Sequence, residues 1–371
     1  MRFKVKKVGS ILCTASCLVS LSGCFLIPGT KYLTYDQVSE ELRKEITVKD
    51  WDGSIPEGME VRYVVSRELS KNDSGTVIDY RYEYDDKGRQ TAVISVDEKY
   101  SVRESLTYND DGTIAVKEHK TTGKITGYHI HDFMVDFDYN DKGKLISCAR
   151  TTFSDEGEVD DTSVDEYEYE NGHLVRAGNA TYDYNDDTAP YYEYCADVSD
   201  SFSSGDVKIV KRFYDENRLL ITEEYISSEI TYNYVYENGV LTGITKTDKW
   251  GYCSEYDAED NLLTETDIDG NLIIRNTRNG KGDRTCYEEW RDGKPRCKNT
   301  YTYVYDEKGN KLSEETEFWS VDGDGKESSF KSIDTYEYDE HGLLTAEYVM
   351  IEGRFSRMKV YSYEAILVPA G

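Results

Sequence analysis

Along most of this chain apolar and polar positions alternate, the period of a β-strand with one covered face. The alternation stops at regular turn signals, and the two together form one recurring phrase: aromatic-x-Tyr-Asp/Asn-x-x-Gly, then an aliphatic residue. It reads as Tyr82-Glu83-Tyr84-Asp85-Asp86-Lys87-Gly88, Tyr108-Asn109-Asp110-Asp111-Gly112-Thr113-Ile114 and Phe137-Asp138-Tyr139-Asn140-Asp141-Lys142-Gly143-Lys144-Leu145. It returns at Tyr303-Val304-Tyr305-Asp306-Glu307-Lys308-Gly309 and Tyr336-Glu337-Tyr338-Asp339-Glu340-His341-Gly342. A form one residue shorter ends at Asn171-Gly172 and at Asn238-Gly239. Worn copies lie at Tyr214 to Leu219, Tyr256 to Leu262 and Trp290-Arg291-Asp292-Gly293. Successive copies are about 20 to 35 residues apart, the spacing of a repeat array.

The phrase predicts a β-hairpin. Both rings of aromatic-x-Tyr fall on one face of the outgoing strand. The Asp or Asn bonds its own backbone two residues on and starts a type I turn. Gly88, Gly112, Gly143, Gly309 and Gly342 then take the left-handed conformation that closes the loop as a bulge. In the shorter form Gly172 and Gly239 complete two-residue Asn-Gly turns. Where the glycine is lost, Asn217 and Asp260 are expected to stand in, because both residue types tolerate positive φ. A lone hairpin is marginal in water, so the units must stack. The expected fold is all-β: a stacked hairpin array, elongated or curled, with one short N-terminal helix.

The Tyr-Asp-x-x-Gly-x-Leu phrase resembles the YD repeat of the RHS/YD-repeat proteins over roughly residues 80 to 345. That resemblance implies a long antiparallel sheet of hairpins. The irregular spacing, and the lack of a conserved core segment or toxin domain after the last copy, depart from it, so an encapsulated toxin is not implied.

Ahead of the repeats, the chain opens with a basic stretch bearing Arg2, Lys4, Lys6 and Lys7. An apolar run from Val8 to Leu21 follows, about 14 residues and too short to span a bilayer. Leu21-Ser22-Gly23-Cys24 resembles the lipobox of bacterial prolipoproteins. The resemblance implies cleavage between Gly23 and Cys24, acylation of Cys24 (palmitate among its chains) and anchoring of an exported protein to a membrane. Cys17 is a poorer candidate, because Thr14 stands where an aliphatic residue is expected. The domain reading is a signal peptide over 1–23, an anchor, short helix and connection over 24–60, and repeats over 61–371. The helix is read from a capping box at Thr34-Tyr35-Asp36-Gln37 and an apolar stripe of Val38, Leu42 and Ile46. Its expected task is to cover the open edge of the first hairpin. Tyr361-Ser362-Tyr363 and Ile366-Leu367-Val368 read as a closing strand.

Composition narrows the function. The net charge of −29 repels nucleic acid. Tyrosines number 33, against 10 Phe and 4 Trp, an excess suited to half-buried pleated surfaces. Beyond Cys24 the mature cysteines are Cys148, Cys195, Cys253, Cys286 and Cys297, too scattered for a disulfide framework. Cys286 and Cys297 flank a turn, where a bridge between adjacent strands and free thiols both stay open.

Candidate chemistry is sparse. His129-Ile130-His131 beside Asp132 offers two metal ligands without a placed third and reads as a surface pair. Asp322-Gly323-Asp324-Gly325 has oxygen-rich loop character, but Lys331 stands where an EF-hand needs its bidentate Glu. Asp322 and Asp324 therefore read as a solvated hairpin tip, with loose calcium bridging at acidic tips such as Asp110-Asp111 and Asp186-Asp187 as the alternative. No nucleophile elbow, zincin motif or phosphate loop occurs, and paired carboxylates are too abundant for any pair to signify a glycosidase. No cofactor is expected. The remaining candidates are Tyr182, Tyr184, Tyr192, Tyr194, Tyr232 and Tyr234, read either as sheet packing or as rings that stack on sugars. The expectation is a non-enzymatic, lipid-anchored envelope protein with a binding or adhesion role toward a glycan or an envelope protein. A structural scaffold is the second reading and a secreted hydrolase the third.

Overall fold

The computed structural model describes residues 32–96, 100–123, 132–154, 156–182, 192–198 and 207–370. Within the compact unit that begins at Leu33, 25 strands among the described residues join one sheet, preceded by a helix, Tyr35–Leu42, and a 3-10 turn, Arg43–Glu45. The chain is thus the all-β array of stacked hairpins that its repeat pattern implies.

The strand Met59–Asn72 pairs with Val77–Tyr84 on one side and with Arg354–Pro369 on the other. From Val77 onward the strands follow chain order, each antiparallel to the last, as far as Ala180–Thr181. From Arg354 backward they do the same as far as Tyr192–Val198. The first long strand and the last are therefore neighbours, in register from Met59 opposite Pro369 to Asn72 opposite Arg357. Both lie inside the sheet, and its outermost described strands come from mid-chain. Val48–Lys49 adds a short parallel pairing to Tyr363–Glu364.

This arrangement corrects the place expected for the helix. The edge of the first hairpin is taken by Arg354–Pro369, so the helix has no edge to cover. Its capping box is formed, with the Gln37 N–H donating to Thr34 Oγ1 at 3.4 Å and the Thr34 N–H to Gln37 Oε1 at 3.0 Å. Val38 and Leu42 pack against Leu69, Phe355, Met358 and Val360 from both partners of the terminal pairing and against Ala346 from the adjoining strand Leu344–Ile351. Each buried aliphatic contributes about 1.5–3 kcal/mol. Arg43 adds a two-pronged bond to Glu337 at 2.5 and 2.7 Å, and Lys71 pairs with Glu41 at 2.7 Å. Ion pairs that stay within reach of water are worth about 0–1 kcal/mol, so the apolar contacts hold the helix.

The turns follow from the phrase. Asp85 Oδ1 accepts from the N–H of Lys87 at 3.0 Å and of Arg89 at 2.8 Å, and the Gly88 N–H donates to the Asp85 carbonyl at 3.0 Å. Gly88 has φ +74, and a Cβ there would come within 2.7 Å of Val368 Cγ1, so conformation and space both require glycine. Gly112, Gly143, Gly309 and Gly342 make the same bond at 2.9–3.1 Å. Gly172 and Gly239 follow Asn171 and Asn238, which also have positive φ, as a two-residue primed turn demands. One stand-in differs from expectation. Asp260 takes the positive φ (61°), but in the other worn copy Arg218 takes it (φ 65°) and Asn217 does not. Counted from Asp215, Arg218 occupies the bulge position, while the Asn217 N–H bonds Asp215 Oδ1 at 2.8 Å.

Bulges give the tyrosines a second task. Just past several of the bulges a carbonyl accepts a hydroxyl from the next aromatic strand. Tyr108 donates to the Gln90 carbonyl at 3.1 Å, Tyr139 to Ile114 at 3.0 Å, Tyr338 to Lys311 at 3.0 Å and Tyr363 to Leu344 at 2.8 Å. Tyr84 donates to the Val65 carbonyl at 2.9 Å, and Val65 lies opposite Tyr363. The ladder of hydroxyls thereby crosses the pairing between the two ends of the chain. Phenylalanine cannot make this tie, which accounts for part of the tyrosine excess.

Cys286 and Cys297 do not bridge. Cys286 lies opposite Thr300 and Cys297 opposite Glu289, three residues apart along the ladder and hence on opposite faces of the sheet.

Candidate functional site

The aromatic residues singled out in the sequence fall mostly within the sheet. Tyr182 and Tyr194 face each other with ring centres 5.5 Å apart and pack against a core built from Leu106, Val135, Phe137, Leu145 and Leu174. Tyr234 is half-buried and gives its hydroxyl to Glu223. Tyr232 is half-buried, edge-on to Tyr225, and burial pushes its hydroxyl up to about 12. Tyr192 opens the strand Tyr192–Val198, opposite Phe213. Tyr184, Gly23, Cys24, Asp186, Asp187, His129 and His131 lie outside the described residues. Asp322 is committed to its turn, its Oδ1 accepting from the N–H of Asp324 at 3.0 Å and of Lys326 at 2.9 Å. Asp111 Oδ1 likewise accepts from the Thr113 N–H at 2.9 Å.

The polar cluster around Arg212 is saturated. Arg212 donates to Glu223 at 2.8 Å, to Cys195 Sγ at 3.0 Å and to Asp197, while the second Glu223 oxygen receives Tyr234. Burial pushes the thiol of Cys195 up to about 12 and those of Cys148 and Cys297 up to about 11, the reverse of nucleophile activation.

A different place combines exposed rings with spare polar groups. The hairpin tip Asp248-Lys249-Trp250-Gly251 repeats the turn chemistry, with Asp248 Oδ1 accepting from the N–H of Trp250 at 2.9 Å and of Tyr252 at 3.0 Å. It abuts the neighbouring tip Asp267–Gly270 so closely that a Cβ on Gly251 would meet Ile268 Cγ1 at 2.9 Å. Locked in this way, the tip holds Trp250 64% exposed and Tyr252 41% exposed. Apart from Tyr252 and Tyr32, every tyrosine whose side chain is described is buried or half-buried.

Beside the tip opens a recess of about 280 Å³ lined by Lys246, Asp248, Tyr252, Ser254 and Glu265. Register builds its floor: Lys246 lies opposite Ser254, and Ser254 opposite Glu265. Ser254 Oγ donates to Glu265 Oε2 at 3.2 Å. Tyr232 is next in the row, opposite Lys246, whose Nζ stands 5.9 Å from its ring centre. One of the six candidate tyrosines therefore borders this recess. Trp250 and Tyr252 were missed because their tip lacks the aromatic lead-in. The available signal was Asp-x-x-Gly with Trp at a position that the other copies fill with polar or charged residues. An apolar ring face beside convergent donors and acceptors is the surface a pyranose ring fits, one side apolar and the rim hydroxylated.

No family model matches the chain, and no curated protein matches it. Among solved structures it is similar to a TcdB2-TccC3-Cdc42 crystal structure, with 12% identity over 80% of this chain and 20% of that one and a TM-score of 0.27. The Photorhabdus luminescens Tc holotoxin pore gives 11% identity over 79% and 18%, with a TM-score of 0.29. A porin-like protein from Bacteroides uniformis gives 13% over 81% and 96%, with a TM-score of 0.28. The chain thus spans about a fifth of the toxin chains, and at these TM-scores nothing of function is carried over.

Proposed function

We propose that this chain is a non-enzymatic, lipid-anchored protein of the cell envelope that binds glycan at the Trp250–Tyr252 tip, on a YD-like hairpin sheet that serves as its scaffold. The observation that carries the binding is the pairing of two exposed rings with a polar recess, on a sheet whose other tyrosines are mostly tucked in. The anchor rests on the Leu21-Ser22-Gly23-Cys24 sequence. The raised thiols and the saturated Arg212 cluster support the non-enzymatic reading.

A sedimentation assay tests the binding. The protein is mixed with insoluble peptidoglycan and with a panel of polysaccharides. Saturable binding that falls at least tenfold in Trp250→Ala and Tyr252→Ala is expected, and binding that ignores both changes would overturn the site. Mass spectrometry of the membrane-extracted protein is expected to find acyl chains on an N-terminal Cys24; an unmodified Cys24 would remove the anchor. The second reading, a scaffold that binds nothing, is favoured by the tyrosine hydroxyl ladder. It becomes the conclusion if no polysaccharide is retained.

A further inference from the structure

The recess sets one ammonium, Lys246, beside two carboxylates, Asp248 and Glu265. Of the half-buried lysines, Lys71, Lys144, Lys311 and Lys359 each pair with a carboxylate, and Lys211 stands over the Tyr194 and Phe213 rings. Lys246 is also half-buried, but its ammonium has no ion pair among the described residues and faces only the Tyr232 ring at 5.9 Å. In a chain of net charge −29 an unmatched ammonium inside a recess is an exception. The two carboxylates that share the recess keep their charge and bond to neutral donors, Asp248 Oδ1 to the two tip amides and Glu265 to Ser254, and neither is paired with the Lys246 ammonium.

Resting on the glycan reading above, we infer that the ligand is a carboxylated sugar of the uronic acid class, its carboxylate bound by Lys246 and its ring face set against Tyr252. Glu265 and Ser254 on the floor are placed to meet ring hydroxyls. The rest of the protein's negative charge does not forbid this, because the Debye length of about 8 Å at physiological salt screens distant carboxylates, while a direct ammonium–carboxylate contact is screened far less. A charge-assisted hydrogen bond is about twice as strong as a neutral one, so the carboxylate decides specificity and the aromatic face supplies general affinity.

The test is calorimetric titration of the full-length protein in detergent with uronic acid oligosaccharides, oligogalacturonate and hyaluronan fragments, and with the same chains after their carboxylates are reduced to alcohols. The carboxylated chains are expected to bind at least tenfold tighter than the reduced ones. Lys246→Met is expected to abolish that preference, Lys246→Arg to retain most of it, and circular dichroism to show the sheet intact in both. Equal binding of carboxylated and reduced chains, or a preference that survives Lys246→Met, overturns this inference and leaves the glycan reading standing. If neither form binds, and Trp250→Ala changes no polysaccharide interaction, the glycan reading itself fails.

Discussion

Replacing Tyr139 with Phe removes one oxygen from the sheet and leaves every apolar contact in place. The hydroxyl donates to the Ile114 carbonyl at 3.0 Å, and Ile114 is buried, so water cannot readily take its place. Loss of a hydrogen bond alone costs about 1 kcal/mol, and a carbonyl left stranded brings the figure to about 1–3 kcal/mol. Tyr252→Phe is the control, because Tyr252 is exposed and its hydroxyl donates to no described group; it is expected to change stability by less than about 0.5 kcal/mol. Stacked repeats open locally, so a single melting temperature would blur the effect. Hydrogen exchange read by mass spectrometry is the suitable assay. In Tyr139→Phe, exchange is expected to rise in Ile114–Gly123 and Phe133–Tyr139, the strands that the hydroxyl ties, and not in Lys294–Tyr305. Unchanged exchange in the first two segments, or a rise spread evenly over the sheet, would refute the ladder as a stabilising device.

Asp334 is held up at about 6 by burial and by the neighbouring Glu314 and Glu347 carboxylates, so the folded protein prefers it protonated. Its destabilisation grows as pH rises from about 4 through 6, and Asp334→Asn is expected to stabilise by about 1–3 kcal/mol at pH 7.5 and hardly at all at pH 4, measured by urea unfolding at both pH values. Arg218→Gly removes a side chain from a positive φ and is expected to add about 0.5–1 kcal/mol, whereas Gly88→Ala, with Val368 in the way, is expected to destabilise by more than that; urea midpoints check both. Leu42→Ala opens a cavity under the helix at an expected cost of about 2–4 kcal/mol, read as faster exchange in Tyr35–Leu42 while the distant hairpins keep theirs.

What the sequence made legible was local. Asp85 to Gly88 declares its turn within four residues, because the carboxylate bonds backbone two and four residues on and glycine alone fits the bulge. The same locality made Thr34 to Gln37 readable as a helix start. Contacts over long sequence separation left no such mark. Met59–Asn72 reads as any amphipathic strand, and nothing in it announces Arg354–Pro369 as its partner, so the helix Tyr35–Leu42 was expected on an edge that is in fact filled. Arg218 was passed over because its residue type is a poor guide to φ, although counting from Asp215 marks the position. Cys286 and Cys297 looked close across a turn. Only the ladder, with Thr300 and Glu289 as their respective opposites, shows them on opposite faces. The tyrosine excess was visible, but its ties to bulge carbonyls depend on strand order and were not. Trp250 went unnoticed for a simpler reason: its tip keeps Asp248 and Gly251 but has lost the aromatic strand that flagged the other copies.

Whether sugar covers Trp250 tests the proposed glycan site most directly. Acrylamide quenching of tryptophan fluorescence measures this, since Trp250, 64% exposed, is open to the quencher in the free protein. Adding a glycan that binds is expected to protect a fraction of the emission, and that protection is expected to vanish in Trp250→Phe. A glycan that binds while leaving the quenching of Trp250 unchanged would place the site elsewhere and contradict the account.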